Sequence, residues 1–131
     1  MKKMNRKILS VAAVLGAIAI VLGAFGAHSL KKVLEPDMLA TFETGVKYQM
    51  YHALFLLFIG TTSLVSDKTK KTILSLVVVG VLFFSFSIYF LACNDLFSFD
   101  FKKIGFITPI GGLLLISAWI ILLLNLIKRK G

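Results

Sequence analysis

The chain has 131 residues, 58% hydrophobic and only 16% charged, with a formal net charge of +9. A soluble domain is about half apolar and about a quarter charged, and disordered chains are poorer still in apolar residues, so both classes are excluded. What remains is one small integral membrane domain, in which surplus Lys and Arg reflect membrane orientation. No basic stripe with interleaved aromatics lies outside the apolar runs, so no nucleic-acid partner is expected.

Lys2, Lys3, Arg6 and Lys7 precede an apolar run from Ile8 to Ala27. This resembles a cleavable leader, but the run exceeds the roughly 7–15 residues of a leader core. Phe25 is also too large for the −3 position of a cut after Ala27, although a cut after Gly26 would fit better; the favoured reading is a retained first span over about 8–30, with cleavage the minor alternative. The second span covers about 48–65, continuing a helix that begins near Asp37 outside the membrane. Pro36 suits a first helical turn, Asp37 suits the helix dipole, and Glu43 and Lys47 stand four apart in the favourable order. The third span covers about 72–93. The fourth covers about 109–127, with Thr108 as N-cap and Pro109 at the first helical position. Residues 96–107, rich in Phe and Lys, suit the membrane interface, and the competing reading is a longer fourth helix kinked at Pro109.

None of the four spans contains Asp, Glu, Lys or Arg. Four strands cannot close a barrel, so backbone satisfaction in lipid makes them helices. The expected fold is therefore an all-α, four-span up-down helical bundle. One side carries Lys2, Lys3, Arg6, Lys7, Lys68, Lys70, Lys71, Lys128, Arg129 and Lys130. The other carries Lys31, Lys32, Lys47, Lys102 and Lys103, along with every acid except Asp67. That asymmetry predicts both termini cytoplasmic. The basic tail Lys128-Arg129-Lys130 reads as an anchor at the membrane end.

Ala12, Gly16, Ala19, Gly23 and Gly26 form a seam of small residues at steps of four and three. Helices gain little from apolar burial inside lipid, so such a seam allows close backbone packing instead. Gly111 and Gly112 give the fourth span a similar flat spot. The seam's partner is either another helix of the chain or a second subunit.

The remaining polar residues point to an outer cluster. His28 closes the first span, Tyr48, Gln49 and His52 open the second, Tyr89 lies near the end of the third, and Thr108 opens the fourth. Glu43 and Lys47 lie nearby. Ionisable groups at membrane depth are candidate functional residues. These eight residues are expected to fix the bundle by hydrogen bonds or to hold a ligand or partner. Two histidines at one depth also leave haem or metal ligation open. No haem-attachment, zinc, nucleotide or phosphate-loop motif occurs, and no carboxylate pair lies within a span. No catalytic residue, resident cofactor or metal is therefore expected, and the reading is non-enzymatic. Cys93 is the sole cysteine, so no internal disulfide can form.

Three stretches carry a family resemblance. They are Gly23-Ala24-Phe25-Gly26-Ala27-His28 with Leu30, then Phe42-Glu43-Thr44-Gly45-Val46-Lys47-Tyr48-Gln49 with Tyr51-His52-Ala53-Leu54, and Ile107-Thr108-Pro109-Ile110-Gly111-Gly112 with Trp119. Together they resemble the signatures of the uncharacterised small membrane family DUF-423, over nearly the whole chain. The family is similar to an animal mitochondrial transmembrane protein. The resemblance implies four spans in a bacterial inner (plasma) membrane and brings no activity with it. The expected role is a membrane-organising protein or accessory subunit, contacting lipids, a larger membrane complex or further copies of itself. The alternative is a binder or carrier of a small amphiphile, a lipid or quinone, at the outer polar cluster. A bis-histidine haem protein is the third reading.

Overall fold

The computed structural model describes residues 1–129, so Lys130 of the basic tail lies outside the described residues. No strand occurs among them. The helices are α1 (Lys3–His28), α2 (Pro36–Thr61), α3 (Asp67–Val81), α4 (Ser87–Ala92) and α5 (Ile107–Lys128). A π-helical turn, Leu82–Phe86, joins α3 to α4 without a break, so residues 67–92 act as one rod.

Local sequence explains the helix starts. Pro36 occupies the first turn of α2, where its missing N–H would be unsatisfied anyway, and Asp37 complements the dipole. Ser66 caps α3, its hydroxyl oxygen accepting the Thr69 N–H at 3.2 Å. The start of α5 departs from expectation. The helix begins at Ile107, so Thr108 is not its N-cap but lies inside the first turn. The chain reaches α5 through short 3-10 turns at Asn94–Leu96 and Phe101–Ile104, so α5 is not extended and kinked at Pro109. Asn94 ties this cap together, accepting the Phe101 N–H at 2.7 Å and donating to Asp100 at 3.2 Å. The second expected span is displaced as well, because α2 ends at Thr61 and residues up to 65 form the connection to α3.

Side-chain approaches define the helix pairing. Gly16 faces Ala53, Gly23 faces Val46, Gly26 faces Phe42 and Gly60 faces Leu9. As one number rises the other falls by nearly the same step, so α1 and α2 are antiparallel in constant register. The α3–α4 rod and α5 pair likewise, with Gly80 against Leu115, Phe84 against Gly111, and Ser87 against Thr108. His52 of α2 meets Trp119 of α5, and Leu64, just past the end of α2, meets Asn125, so these two helices run parallel. The result is an up-down-up-down bundle.

Two apolar clusters flank its middle. The larger, including Ile8, Leu56, Ile59, Ile73, Val77, Val81, Leu115 and Ala118, fills the half nearer both termini. The smaller, Leu30, Phe42 and Ala92, closes the opposite end. Three helical stretches are long and apolar enough to cross a membrane: Lys3–Lys32, Asp67–Ala92 and Ile107–Lys128. α2 equals α1 in length at 26 residues, but Glu43, Lys47, Gln49 and His52 interrupt its apolar character.

Candidate functional site

The polar residues between the two clusters arise from one face of α2. Gly45, Gln49, His52, Leu56 and Ile59 recur at three- and four-residue steps, and all are buried. Gly45 is where α2 approaches the rod most closely. A Cβ there would sit 2.6 Å from Cε1 of Tyr89, which no real side chain tolerates. The Ser85 hydroxyl, on the π turn, donates to the Gly45 carbonyl at 2.7 Å.

Gln49 is fully buried and links three helices. Its Nε2 donates to the Leu15 carbonyl of α1 at 2.9 Å, and its Oε1 accepts from the Tyr89 hydroxyl of α4 at 2.6 Å. His52, on the next turn, uses both ring nitrogens. Nδ1 lies 2.7 Å from the Tyr48 carbonyl, and Nε2 lies 3.1 Å from the Trp119 indole nitrogen. An indole N–H only donates, so Nε2 accepts and the proton sits on Nδ1, which donates to Tyr48. His52 is thereby held as the neutral tautomer. Thr108 and Ser87 share a hydroxyl–hydroxyl bond of 2.6 Å that joins α4 to the start of α5. Among the described residues, no buried side-chain nitrogen or oxygen lacks a partner.

These residues do not share one depth, contrary to expectation. The register sets His52 beside Gly16–Ala17, near the middle of α1, whereas His28 is exposed at the helix end. The axial offset is roughly 17 Å at 1.5 Å per residue. The two histidines therefore do not face each other, and Nε2 of His52 is taken by Trp119, so the bis-histidine arrangement is not formed. Among the described residues there is no group of three His, Cys, Asp or Glu placed to hold a metal. Glu43 and Lys47 are exposed on α2, and the only ion pair among the described residues is Lys2–Asp67 at 3.3 Å. The small-residue seam is spent inside the chain, with Ala12 and Ala19 almost fully buried and the glycines against α2. Gly111 lets α5 approach the backbone of Phe83 and Phe84 on the π turn.

Beside this network lies a cleft of about 310 Å³, lined by Tyr48, His52, Phe84, Gly112, Leu115, Ile116 and Trp119. Tyr48 packs edge-on to Phe84 with ring centroids 5.1 Å apart, and Trp119 lies 4.2 Å from Phe55. Ile116 and Trp119 remain half-exposed, so the cleft opens sideways from the bundle, at mid-height.

Sequence reasoning did not assign Trp119, Phe84, Ser85 or Lys70 to any site. Trp119 offered a signal, since an indole N–H within a span needs an acceptor. Lys70 offered none. It reads as one of several lysines in a connection, yet it is buried, with Nζ donating to Asn5 Oδ1 at 2.9 Å and to the Thr62 carbonyl at 2.7 Å.

Fold and site together define a small helical protein with membrane-crossing apolar helices and a hydrogen-bonded polar seam in its core. The chain matches the family described as "Protein of unknown function (DUF423)" over residues 22–112, and it belongs to that family. It is 38% identical to a UPF0382 membrane protein of Staphylococcus haemolyticus, covering 90% of this chain and 96% of the relative. It is 37% identical to a UPF0382 membrane protein of Haemophilus influenzae, covering 97% and 98%. The UPF0382 inner membrane protein YgdD of Escherichia coli is 33% identical, covering 97% and 95%. No solved structure matches. With its three apolar helices, the chain is a multi-pass protein of the bacterial inner (plasma) membrane.

Proposed function

We propose that this protein is a non-enzymatic binder of a small amphiphile of the quinone or lipid class, held in the mid-bundle cleft. α2 would be the fourth membrane span, and both termini would lie in the cytoplasm. The observation that carries the reading is the cleft itself. Its walls are the rings of Tyr48, Phe84 and Trp119 with apolar Leu115 and Ile116, and Gly112 leaves room at its base. Its volume falls at the lower end of the roughly 300–1,000 Å³ typical of small-molecule sites. Flat aromatic walls favour a ring that can stack between them. Because both nitrogens of His52 are engaged, polar recognition falls to the Tyr48 hydroxyl, which has no hydrogen-bond partner among the described residues. That hydroxyl would donate to a ring carbonyl. A ligand diffusing in the bilayer could enter from the side without crossing water.

Trp119 is the only tryptophan, so its fluorescence reports this cleft alone. Titrating the detergent-solubilised protein with a short-chain quinone should quench Trp119 saturably. Phe84→Ala together with Tyr48→Leu should raise the half-saturating concentration by about tenfold, the equivalent of roughly 1.4 kcal/mol. Linear, unsaturable quenching, equal in both proteins, would refute the reading. The second reading, a membrane organiser or accessory subunit, draws support from the fully satisfied polar network, which serves packing without any ligand. Of its two expected contact surfaces, the seam is however used within the chain, and of the polar cluster only His28, Glu43 and Lys47 stay exposed without a hydrogen-bonding role in the bundle. It predicts co-purification with a larger complex and no saturable quenching.

A further inference from the structure

At the end of the bundle that carries both termini, three elements converge. Lys2 reaches Asp67 at 3.3 Å, Lys70 reaches Asn5 at 2.9 Å, and the last turn of α5 folds against the α2–α3 connection. Asn125 donates to the Leu64 carbonyl at 3.1 Å, and Nη1 of Arg129 donates to the same carbonyl at 3.1 Å. Between them lies a groove of about 480 Å³ that shares no lining residue with the aromatic cleft. One part of its lining is polar, including Ser66, Thr69, Lys128 and Arg129, and the other is apolar, including Ile121 and Leu124.

Two features of this groove call for an anion. Among the described residues, the only acidic side chain at this end is Asp67, which pairs with Lys2, and neither Lys128 nor Arg129 has a carboxylate partner. Arg129 is also pinned. Its Nη1 is held by the connection's carbonyls, while a guanidinium carries five N–H donors in a rigid fork, leaving others to engage a second acceptor. Such a fork matches phosphate oxygens, and Lys128 adds a second positive charge. The apolar wall of α5 leads away from this polar end towards the membrane interior, which suits an acyl chain. A free anion would have no use for that wall.

We infer that this groove binds one anionic phospholipid, its phosphate on Arg129 and Lys128 and an acyl chain along Ile121 and Leu124. The site is independent of the aromatic cleft, and one can fail without the other. The test is native mass spectrometry of the full chain in mild detergent, offered phosphatidylglycerol and phosphatidylcholine in equal amounts. The wild type should retain one phosphatidylglycerol in preference to phosphatidylcholine. Lys128→Gln with Arg129→Gln should reduce that preference by about thirtyfold, in line with the attraction of two basic groups at a lipid surface. Leu124→Trp keeps both charges but fills the groove, and it should lose the adduct as well. Lys128→Gln alone, at an exposed position, keeps the test open if loss of Arg129 disturbs folding; it should weaken the preference partially. Equal retention of the two lipids would overturn the assignment. So would an undiminished preference in Leu124→Trp, which would make the attraction a diffuse property of the basic end. Displacement of the adduct by excess inorganic phosphate would make the ligand a free anion and overturn the lipid assignment too.

Discussion

Gln49 joins three helices through two hydrogen bonds. In lipid there is no water to replace a lost partner, so its two bonds to Leu15 and Tyr89 matter more as satisfaction than as attraction. Gln49→Leu leaves the Tyr89 hydroxyl without an acceptor and should destabilise the bundle by about 1–2 kcal/mol, read by reversible denaturation in mixed micelles. Adding Tyr89→Phe removes the stranded hydroxyl, so the double variant should lose less than the sum of the two single losses. Strict additivity would mean that the 2.6 Å contact carries no coupling. The glycine pair of α5 offers a sharper contrast. A Cβ on Gly111 runs into the backbone of Phe83 and Phe84, whereas one on Gly112 meets Phe84 at an ordinary 3.6 Å. Gly111→Ala should therefore be destabilised by about 1–3 kcal/mol, as overpacking usually is, and Gly112→Ala should stay near wild type by the same measurement. Neither site residue type nor spacing separated these two glycines in the sequence. Only the direction in which each faces does so.

At the scale of elements, the register of α1 against α2 decides where the polar residues lie. The expectation of an outer cluster rested on α2 entering the membrane at Tyr48. The helix begins at Pro36 and pairs with α1 along almost its whole length, which lowers His52 to mid-height. A cysteine pair tests this register directly. The Cβ of residue 16 would stand 3.7 Å from that of Ala53, close to the roughly 3.8 Å mean for disulfides. In a Cys93→Ser background, Gly16→Cys with Ala53→Cys should cross-link readily on mild oxidation, visible as a reducible mobility shift. Gly16→Cys with Gln49→Cys, one turn away, should not. The reverse result would restore the higher placement of His52. The π turn is the second element that matters. A wider turn is a common device at functional sites, and here it presents Ser85 to Gly45 while placing Phe84 in the cleft wall.

At the scale of the whole molecule, up-down topology brings both termini and the α2–α3 connection to one end, and that end holds most of the basic residues. If this end faces the cytoplasm, a fluorescent protein fused after residue 131 should fold and fluoresce, and an alkaline phosphatase fused there should stay inactive. Phosphatase inserted near residue 34 or 98 should be active. An active phosphatase at the C-terminus would invert the proposed orientation. Four crossings also require that insertion near residue 64 behave like the C-terminal fusion.

Composition and apolar run length were enough to establish a helical membrane protein, because burying a backbone in lipid leaves few alternatives. The small-residue seam was legible too, since its spacing alone specifies a flat helix face. The start of α2 near Pro36 and Asp37 followed from local chemistry, whereas the third helix, expected from about residue 72, begins earlier, at the Ser66 cap. The three family-like stretches pointed to the family that the comparisons show. What tertiary structure alone decided was which of these faces meet. Gln49 and Tyr89 are separated by 40 residues, and His52 and Trp119 by 67, so no periodicity links them. The ring tautomer of His52 depends on an indole from another helix, and Lys70 is buried only because three chain segments converge on it. Spacing along a helix fixes which residues share a face. Helix register, set by side chains distant in sequence, fixes the depth at which that face does its chemistry.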